Sequence, residues 1–312
     1  MTKSSYDVAV IGAGPTGLAA ALYTAREDLR TVVLDKGVAG GLIATTEWVD
    51  NYPGFAKGIG GIELADQMKQ QAERFGATVS TMTEVAGFAK AEDGFRVKTG
   101  GGEIVTKTIL VATGSSYRHL NIPGESELEG RGVHYCATCD GPLYRGRELL
   151  VVGGGNTALQ ETLFLAKFAK KITMLVRGSE FRGSEILVDE IGKRDNVEVR
   201  FNTQITELKL EGNKFSQAIV QSPEGSASLK ADGVFVFIGL IPNTGWLPSE
   251  IQLDDRKFVT VDAHFNTSVP GVFAAGDVVE GSIGQVASAV GEGVSAALAI
   301  RGYLDPAHAS IQ

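Results

Sequence analysis

Two short apolar runs in this chain each break into a glycine-rich turn of the same design, and that repetition limits the folds open to it. Val8-Ala9-Val10-Ile11 leads into Gly12-Ala13-Gly14-Pro15-Thr16-Gly17, and Leu149-Leu150-Val151-Val152 leads into Gly153-Gly154-Gly155-Asn156-Thr157-Ala158. A single G-x-G-x-x-G carries little weight, because glycine turns are common. Here each turn follows a strand-like run, opens a helical segment and reaches a second apolar strand that ends in a polar residue. That is the β-α-β unit in which a pyrophosphate sits at a helix N-terminus. Two such units imply two nucleotides.

The ends of the second strands indicate which nucleotides. Thr31-Val32-Val33-Leu34 ends at Asp35, with Lys36 next. A carboxylate at this point accepts hydrogen bonds from ribose hydroxyls, which suits an adenosine without a 2′-phosphate, as in FAD or NAD. Ile172-Thr173-Met174-Leu175-Val176 ends instead at Arg177, with Arg182 shortly after. Guanidinium groups there favour a 2′-phosphate, so NADP(H) is expected. The plainer reading of both arginines is solvated surface charge.

Chain order extends the repeat. Ile109-Leu110-Val111-Ala112-Thr113-Gly114 reads as a buried strand running into a small-residue turn, and Val234-Phe235-Val236-Phe237-Ile238-Gly239 repeats it. Hairpin-like stretches precede each, Phe95 to Thr99 and Glu207 to Leu210. The two copies lie about 140 residues apart, an internal duplication. A further strand, Phe273-Ala274-Ala275-Gly276-Asp277-Val278, and a helix over about Gln285 to Tyr303 follow the second copy. This tail is expected to return to the first domain. The expected fold class is therefore α/β, with two Rossmann-like (three-layer ββα) nucleotide-binding domains, the second inserted into the first. The FAD-binding domain is placed at 1–117 and 245–312, and the NAD(P)H-binding domain at 118–244. Crossings near Ser115 to Arg118 and Ile241 to Gly245, where Gly, Ser, Pro and Asn accumulate, would form a hinge.

Composition narrows the function classes. The 312 residues suit two domains, and 40 glycines are well above the usual share of about 7%. A hydrophobic content of 43% argues against disorder. A net charge of −8, with no basic run carrying interleaved aromatics, argues against nucleic acid as a partner. Met1 to Asp7 holds no apolar signal region, and no stretch approaches the roughly 18 apolar residues that span a bilayer. No membrane association is expected, and the cytoplasm is the expected compartment. His119, His134, His264 and His308 lack metal-ligand spacing, and a zinc site takes about four ligands, so no metal is expected. Of these, only His134 is close enough to the cysteines in sequence to affect their titration. Trp48 and Tyr52 read as packing residues.

The only two cysteines are Cys136 and Cys139, spaced C-x-x-C and followed by Asp140. A redox-cycling pair and a structural staple are the two readings, and a cysteine-poor chain in a reducing compartment favours cycling. Exchange requires a thiolate to attack a disulfide, so one sulfur must be accessible. Asp140 could carry the proton for that step, or could cap the helix after the pair.

GAGPTG, CATCDG, GGGNTA, FAAGDV and GQVASAVGEG, in this order across essentially the whole chain, resemble the low-molecular-weight bacterial thioredoxin reductases. The resemblance implies a homodimer with bound FAD. Electrons would pass from NADPH through the flavin and the Cys136–Cys139 disulfide to thioredoxin or a thioredoxin-like protein, with Asp140 as the acid. Gly12, Gly14, Pro15, Thr16, Gly17, Asp35 and Lys36 match the FAD adenosine and pyrophosphate positions. Gly41, Asn51, Asp277, Gln285 and Val286 match positions along the ribityl chain and flavin ring, and Leu42, Gly114 and Gly276 are further candidates for contact with the cofactor. Gly153, Gly155, Asn156, Thr157, Ala158, Arg177 and Arg182 match the NADPH positions, although Asn156 and Thr157 equally suit helix capping. In this family the inserted domain rotates to present first the nicotinamide and then the disulfide to the flavin, and the paired crossings permit the same motion.

Three positions depart from the family pattern. Gly178 stands where a second arginine is usual, Leu42 where glutamine is common, and Gly284 where arginine or lysine is common. The first departure opens the alternative of NADH or ferredoxin as electron donor. A noncatalytic flavin redox sensor is a further alternative, and an oxidase would have no use for CATCD.

Overall fold

The computed structural model describes residues 5–46 and 48–306, so Met1 to Ser4 and His308 lie outside the described residues. The chain divides into two compact units, Met1–Ser116 with Ile241–Gln312, and Tyr117–Leu240. Relative to the boundary expected after residue 244, the second crossing comes earlier. Asn243 is the reason: its side-chain amide donates to the Thr113 carbonyl at 2.8 Å, and the Thr113 hydroxyl donates to the Asn243 carbonyl at 2.9 Å. These bonds tie residue 243 to the first unit.

In the first unit, parallel strands lie in the order Thr78–Ser80, Thr31–Leu34, Ser5–Ile11, Gly102–Val111. The ten-residue strand Gly102–Val111 serves two partners along one edge. Its first half pairs antiparallel with Gly94–Thr99, and its last three residues pair parallel with Val272–Ala274. Side-chain alternation then builds three layers. Val8 and Val10 pack with Leu18, Ala20, Ala21, Ala296, Ala297 and Ile300 of two helices, Pro15–Arg26 and Val286–Leu304. Ala9 and Ile11 point the other way, toward Phe95, Val97, Ile251 and Val259.

The helix Pro15–Arg26 forms for local reasons. Proline at its first position has a pre-set φ, alanines at 19, 20, 21 and 25 favour helix, and Arg26 faces the negative end of the dipole. Its small residues also let the last helix approach closely. A Cβ on Gly293 would come 2.2 Å from the Thr16 carbonyl oxygen, so glycine is required at that crossing.

The second unit repeats the design. Five parallel strands lie in the order Val197–Arg200, Lys171–Leu175, Glu148–Val152, Gly233–Val236, Val133–His134. Leu149 and Val151 face the helices Asn156–Leu165 and Glu185–Gly192. Leu150 and Val152 face a three-stranded antiparallel sheet, Gln204–Glu211, Lys214–Ser222 and Gly225–Lys230. Near-continuous burial of the strands Lys171–Leu175, Glu148–Val152 and Gly233–Val236 is what a parallel sheet covered on both faces demands. Each fully buried valine or leucine contributes roughly 1.5–3 kcal/mol. The architecture is α/β, two Rossmann-like units with the second inserted into the first. Among the described residues no helix is long and apolar enough to cross a membrane, and no cluster of acidic, histidine and cysteine side chains is grouped to hold a metal.

Candidate nucleotide and disulfide sites

The first glycine turn is shaped by what its residues approach. Gly12 has φ +112°, and a Cβ there would lie 2.2 Å from the Ala112 carbonyl oxygen. A Cβ on Gly17 would lie 1.9 Å from the Gly12 carbonyl oxygen. Gly14 differs, because nothing lies within 4 Å of its Cβ position. That open space sits at the start of a helix whose first turn has no side-chain cap and no acidic residue. Its unpaired N–H groups and dipole suit an anion such as a pyrophosphate.

Asp35 closes the turn from the second strand. Its Oδ2 accepts the Ala13 N–H at 2.7 Å and its Oδ1 accepts the Gly37 N–H at 2.8 Å. The cleft beside it is lined by Gly12, Asp35, Lys36, Thr83, Thr113 and Trp246. Gly40 donates to the Ala13 carbonyl at 2.7 Å, and Gly41, with φ +56°, is brought against Gly14. Leu42 is half-buried, and its carbonyl accepts the hydroxyls of Thr45 and Thr46.

The remaining residues expected near FAD gather from distant parts of the first unit. Asn51 donates to the Gln285 side-chain oxygen at 3.0 Å, although 234 residues separate them. Gln285 caps the helix Val286–Leu304 without a side-chain hydrogen bond, which leaves the first-turn N–H groups free. Gly114 has φ +63°, and Gly276, with φ +78°, is pressed against Thr16. Burial pushes the Asp277 carboxyl up from its ordinary value, the Ser282 hydroxyl opposes this at 2.8 Å, and Glu292 adds to the rise. Thr113, Asn243, Trp246 and Glu292 were not anticipated from sequence. Of these, Glu292 lies within GQVASAVGEG and accepts the Gly276 N–H at 2.8 Å.

The second glycine turn is built alike. Gly153 has φ +143°, with the Phe237 carbonyl oxygen 2.4 Å from its Cβ position, while nothing lies within 4 Å of the Cβ position of Gly155. Gly155 is the N-cap residue, and no side chain caps the helix Asn156–Leu165. Capping by Asn156 or Thr157 is therefore excluded. Thr157 is exposed and Ala158 buried, while Asn156 accepts the Ser184 N–H at 2.8 Å and anchors the next loop. The Arg182 N–H donates to the Gly154 carbonyl at 2.7 Å, which folds the same loop over the turn. Arg177 and Arg182 are exposed, and neither makes an ion pair among the described residues. Arg177 follows closely on the strand Lys171–Leu175, and Arg182 lies on the loop beyond it.

Cys136 and Cys139 are joined as a disulfide, which closes a turn over Ala137–Asp140. Both cysteines are half-buried, and Cys136 Sγ accepts the Cys139 N–H at 3.1 Å. Asp140 precedes the turn Gly141–Tyr144 but makes no capping hydrogen bond to it. Its carboxylate instead faces His134, with Oδ2 3.1 Å from Nδ1. Burial raises the Glu161 carboxyl from its ordinary value, and the nearby Ala137 N–H opposes the rise. Glu161 and Tyr144 carried no signal in the sequence that tied them to the cysteines.

The chain matches the pyridine nucleotide-disulphide oxidoreductase family over residues 6–293. It is 38% identical over 304 residues to a thioredoxin reductase of Treponema pallidum, covering 97% of this chain and 98% of the relative. It is 39% identical to that of Listeria monocytogenes, covering 98% and 96%. The crystal structure of thioredoxin reductase from Streptococcus pyogenes superposes with a TM-score of 0.92 at 35% identity, covering 98% and 100%. The chain belongs to the pyridine nucleotide-disulphide oxidoreductases and, within them, to the thioredoxin reductases, which use FAD and NADPH.

Proposed function

We propose that this chain is a thioredoxin-disulfide reductase that takes electrons from NADPH and delivers them, through Cys136 and Cys139, to a thioredoxin or thioredoxin-like protein. The observation that carries this reading is that its only two cysteines close a disulfide on a short turn of the unit that holds the second nucleotide fingerprint. The first unit supplies what FAD requires: an uncapped helix N-terminus, open space at Gly14, and Asp35 at the strand end. Bound FAD would supply two-electron transfer between the nicotinamide and a disulfide.

The protein's own residues account for the rest. Gly12, Gly14, Pro15, Thr16, Gly17 and Asp35 bind the adenosine diphosphate half of FAD, with Lys36 beside it. Gly41, Leu42, Asn51, Gly114, Gly276, Asp277, Gln285 and Val286 shape the flavin end. Gly153, Gly155, Thr157 and Ala158 hold the NADPH pyrophosphate, Asn156 tethers the loop that carries Arg182, and Arg177 and Arg182 pair with the 2′-phosphate. Once two electrons and two protons have opened the disulfide, one cysteine thiolate attacks the partner's disulfide and forms a mixed disulfide. The second cysteine resolves it, the partner leaves as a dithiol, and the Cys136–Cys139 bond re-forms. Asp140 gives the proton that a departing thiolate needs. The working form is a homodimer, as the family resemblance implies, and its compartment is the cytoplasm, where a disulfide that must be reopened each turnover is at home.

The test is anaerobic stopped-flow absorbance with NADPH and, separately, NADH, followed by turnover with a purified bacterial thioredoxin. Rapid flavin bleaching by NADPH and thioredoxin reduction that is lost in Cys136→Ser are expected. Bleaching by NADH equally well would assign a relaxed-specificity reductase. No bleaching by either nucleotide in the FAD-loaded protein would overturn the donor assignment. Bleaching without thioredoxin reduction would overturn the acceptor.

A further inference from the structure

We propose that His134 is the positioning residue for Asp140, an inference that rests on reading Asp140 as the acid. His134 ends the edge strand Val133–His134, whose parallel register sets it opposite Phe235. Its ring stacks on Phe235 at 5.2 Å and meets Tyr144 edge-on at 5.2 Å. The residue is 6% exposed, so both ring nitrogens must find partners inside the protein or go without. Nε2 lies 2.7 Å from the Tyr144 hydroxyl oxygen. Nδ1 is buried and lacks an aligned hydrogen bond, and the group it faces is the Asp140 carboxylate at 3.1 Å.

The Tyr144 hydroxyl fixes how this imidazole is used. Burial, together with the charges of Asp140 and Asp232, pushes its pKa up to about 12, so it stays protonated and can donate to Nε2. The imidazole proton then sits on Nδ1, the nitrogen that lies 3.1 Å from Asp140. When Asp140 passes its proton to a departing cysteine sulfur, the carboxylate left behind accepts the Nδ1–H bond. Tyr144 keeps its own proton throughout. A buried nitrogen without a hydrogen bond costs roughly 1–3 kcal/mol, which a side chain present only to fill space between Phe235 and Tyr144 would not incur. The contact also explains why Asp140 leaves the following turn uncapped.

The test compares His134→Phe, which keeps the ring shape, with His134→Asn, whose amide nitrogen replaces Nδ1. Asp140→Asn is run alongside, all in the FAD-loaded enzyme with NADPH and a bacterial thioredoxin. In His134→Phe, kcat should fall about tenfold, a part of the hundredfold or more that an acid supplies. KM for thioredoxin, flavin content and the rate of flavin reduction by NADPH should stay within twofold (roughly the scatter of such assays). His134→Asn should recover most of kcat. Equal loss in both His134 variants would reduce the residue to packing, and so would an unimpaired His134→Phe beside a slow Asp140→Asn. An Asp140→Asn enzyme that turns over at the parent rate would instead remove the acid assignment itself.

Discussion

The carboxylate of Asp35 holds the backbone of Ala13, accepting its N–H at 2.7 Å across the strand ends. The residue expected to bind ribose therefore also braces the glycine turn, with its second oxygen on the Gly37 N–H. Hydrogen bonds to a charged acceptor contribute roughly 1.5–3 kcal/mol each. Asp35→Ala should weaken FAD retention about tenfold or more. The check is the flavin-to-protein absorbance ratio after gel filtration, and a full complement of FAD in the variant would contradict it.

Gly178 sits where the family commonly has an arginine, and nothing in the local backbone requires glycine there. Its φ lies outside the left-handed region, and the nearest atom to a built Cβ is the Glu180 carbonyl oxygen at 3.6 Å. Gly178→Arg should fold normally and add a third cation near Arg177 and Arg182. An added guanidinium–phosphate pair is worth on the order of 1 kcal/mol at an exposed site, which predicts about a fivefold lower KM for NADPH. KM for NADH should not change. A parallel improvement for both nucleotides would place the phosphate elsewhere.

The features legible in the sequence are those that phosphate chemistry confines to a few residues. Gly12 and Gly153 could be recognised because a backbone carbonyl occupies the space of their side chains, and Asp35 because it ends a strand at a fixed distance from such a turn. Residues whose role depends on pairing between distant segments were not legible. The bond between Asn51 and Gln285 spans 234 residues, and His134 meets Asp140 in the way it does only because its strand is placed beside Phe235. The choice between capping and chemistry for Asp140 and Asn156 also needed coordinates. Both roles call for the same short polar side chains, and the position of the nearest N–H decides only whether the residue caps.

Asp7 gives the first unit a pH-dependent anchor. Burial raises its carboxyl, but hydrogen bonds from Arg30 and Lys107 outweigh this and hold its pKa at about 2 instead of the ordinary 3.8. The folded-state value is depressed, so the stabilisation is complete above pH 3.8 and is lost as pH falls toward 2. Asp7→Asn should cost on the order of 1 kcal/mol at pH 7, once solvent screening of Arg30 and Lys107 is allowed for. Urea titrations of parent and variant should differ at pH 7 and converge near pH 2. A constant difference at both pH values would mean that the residue acts through shape rather than charge.

Asn156 links the second glycine turn to the loop that carries Arg182. Its side-chain oxygen accepts the Ser184 N–H at 2.8 Å, while the Arg182 N–H reaches back to the Gly154 carbonyl. Asn156→Ala removes the first tether and leaves the second, so the loop should remain folded but hold Arg182 less firmly. The loss of one hydrogen bond of about 1 kcal/mol predicts roughly a fivefold rise in KM for NADPH. NADH, which has no 2′-phosphate, should be affected much less, and kcat and FAD content should not change. If KM for NADH rises as much, Asn156 acts on the shared pyrophosphate instead, and the loop tether has no part in recognising the 2′-phosphate.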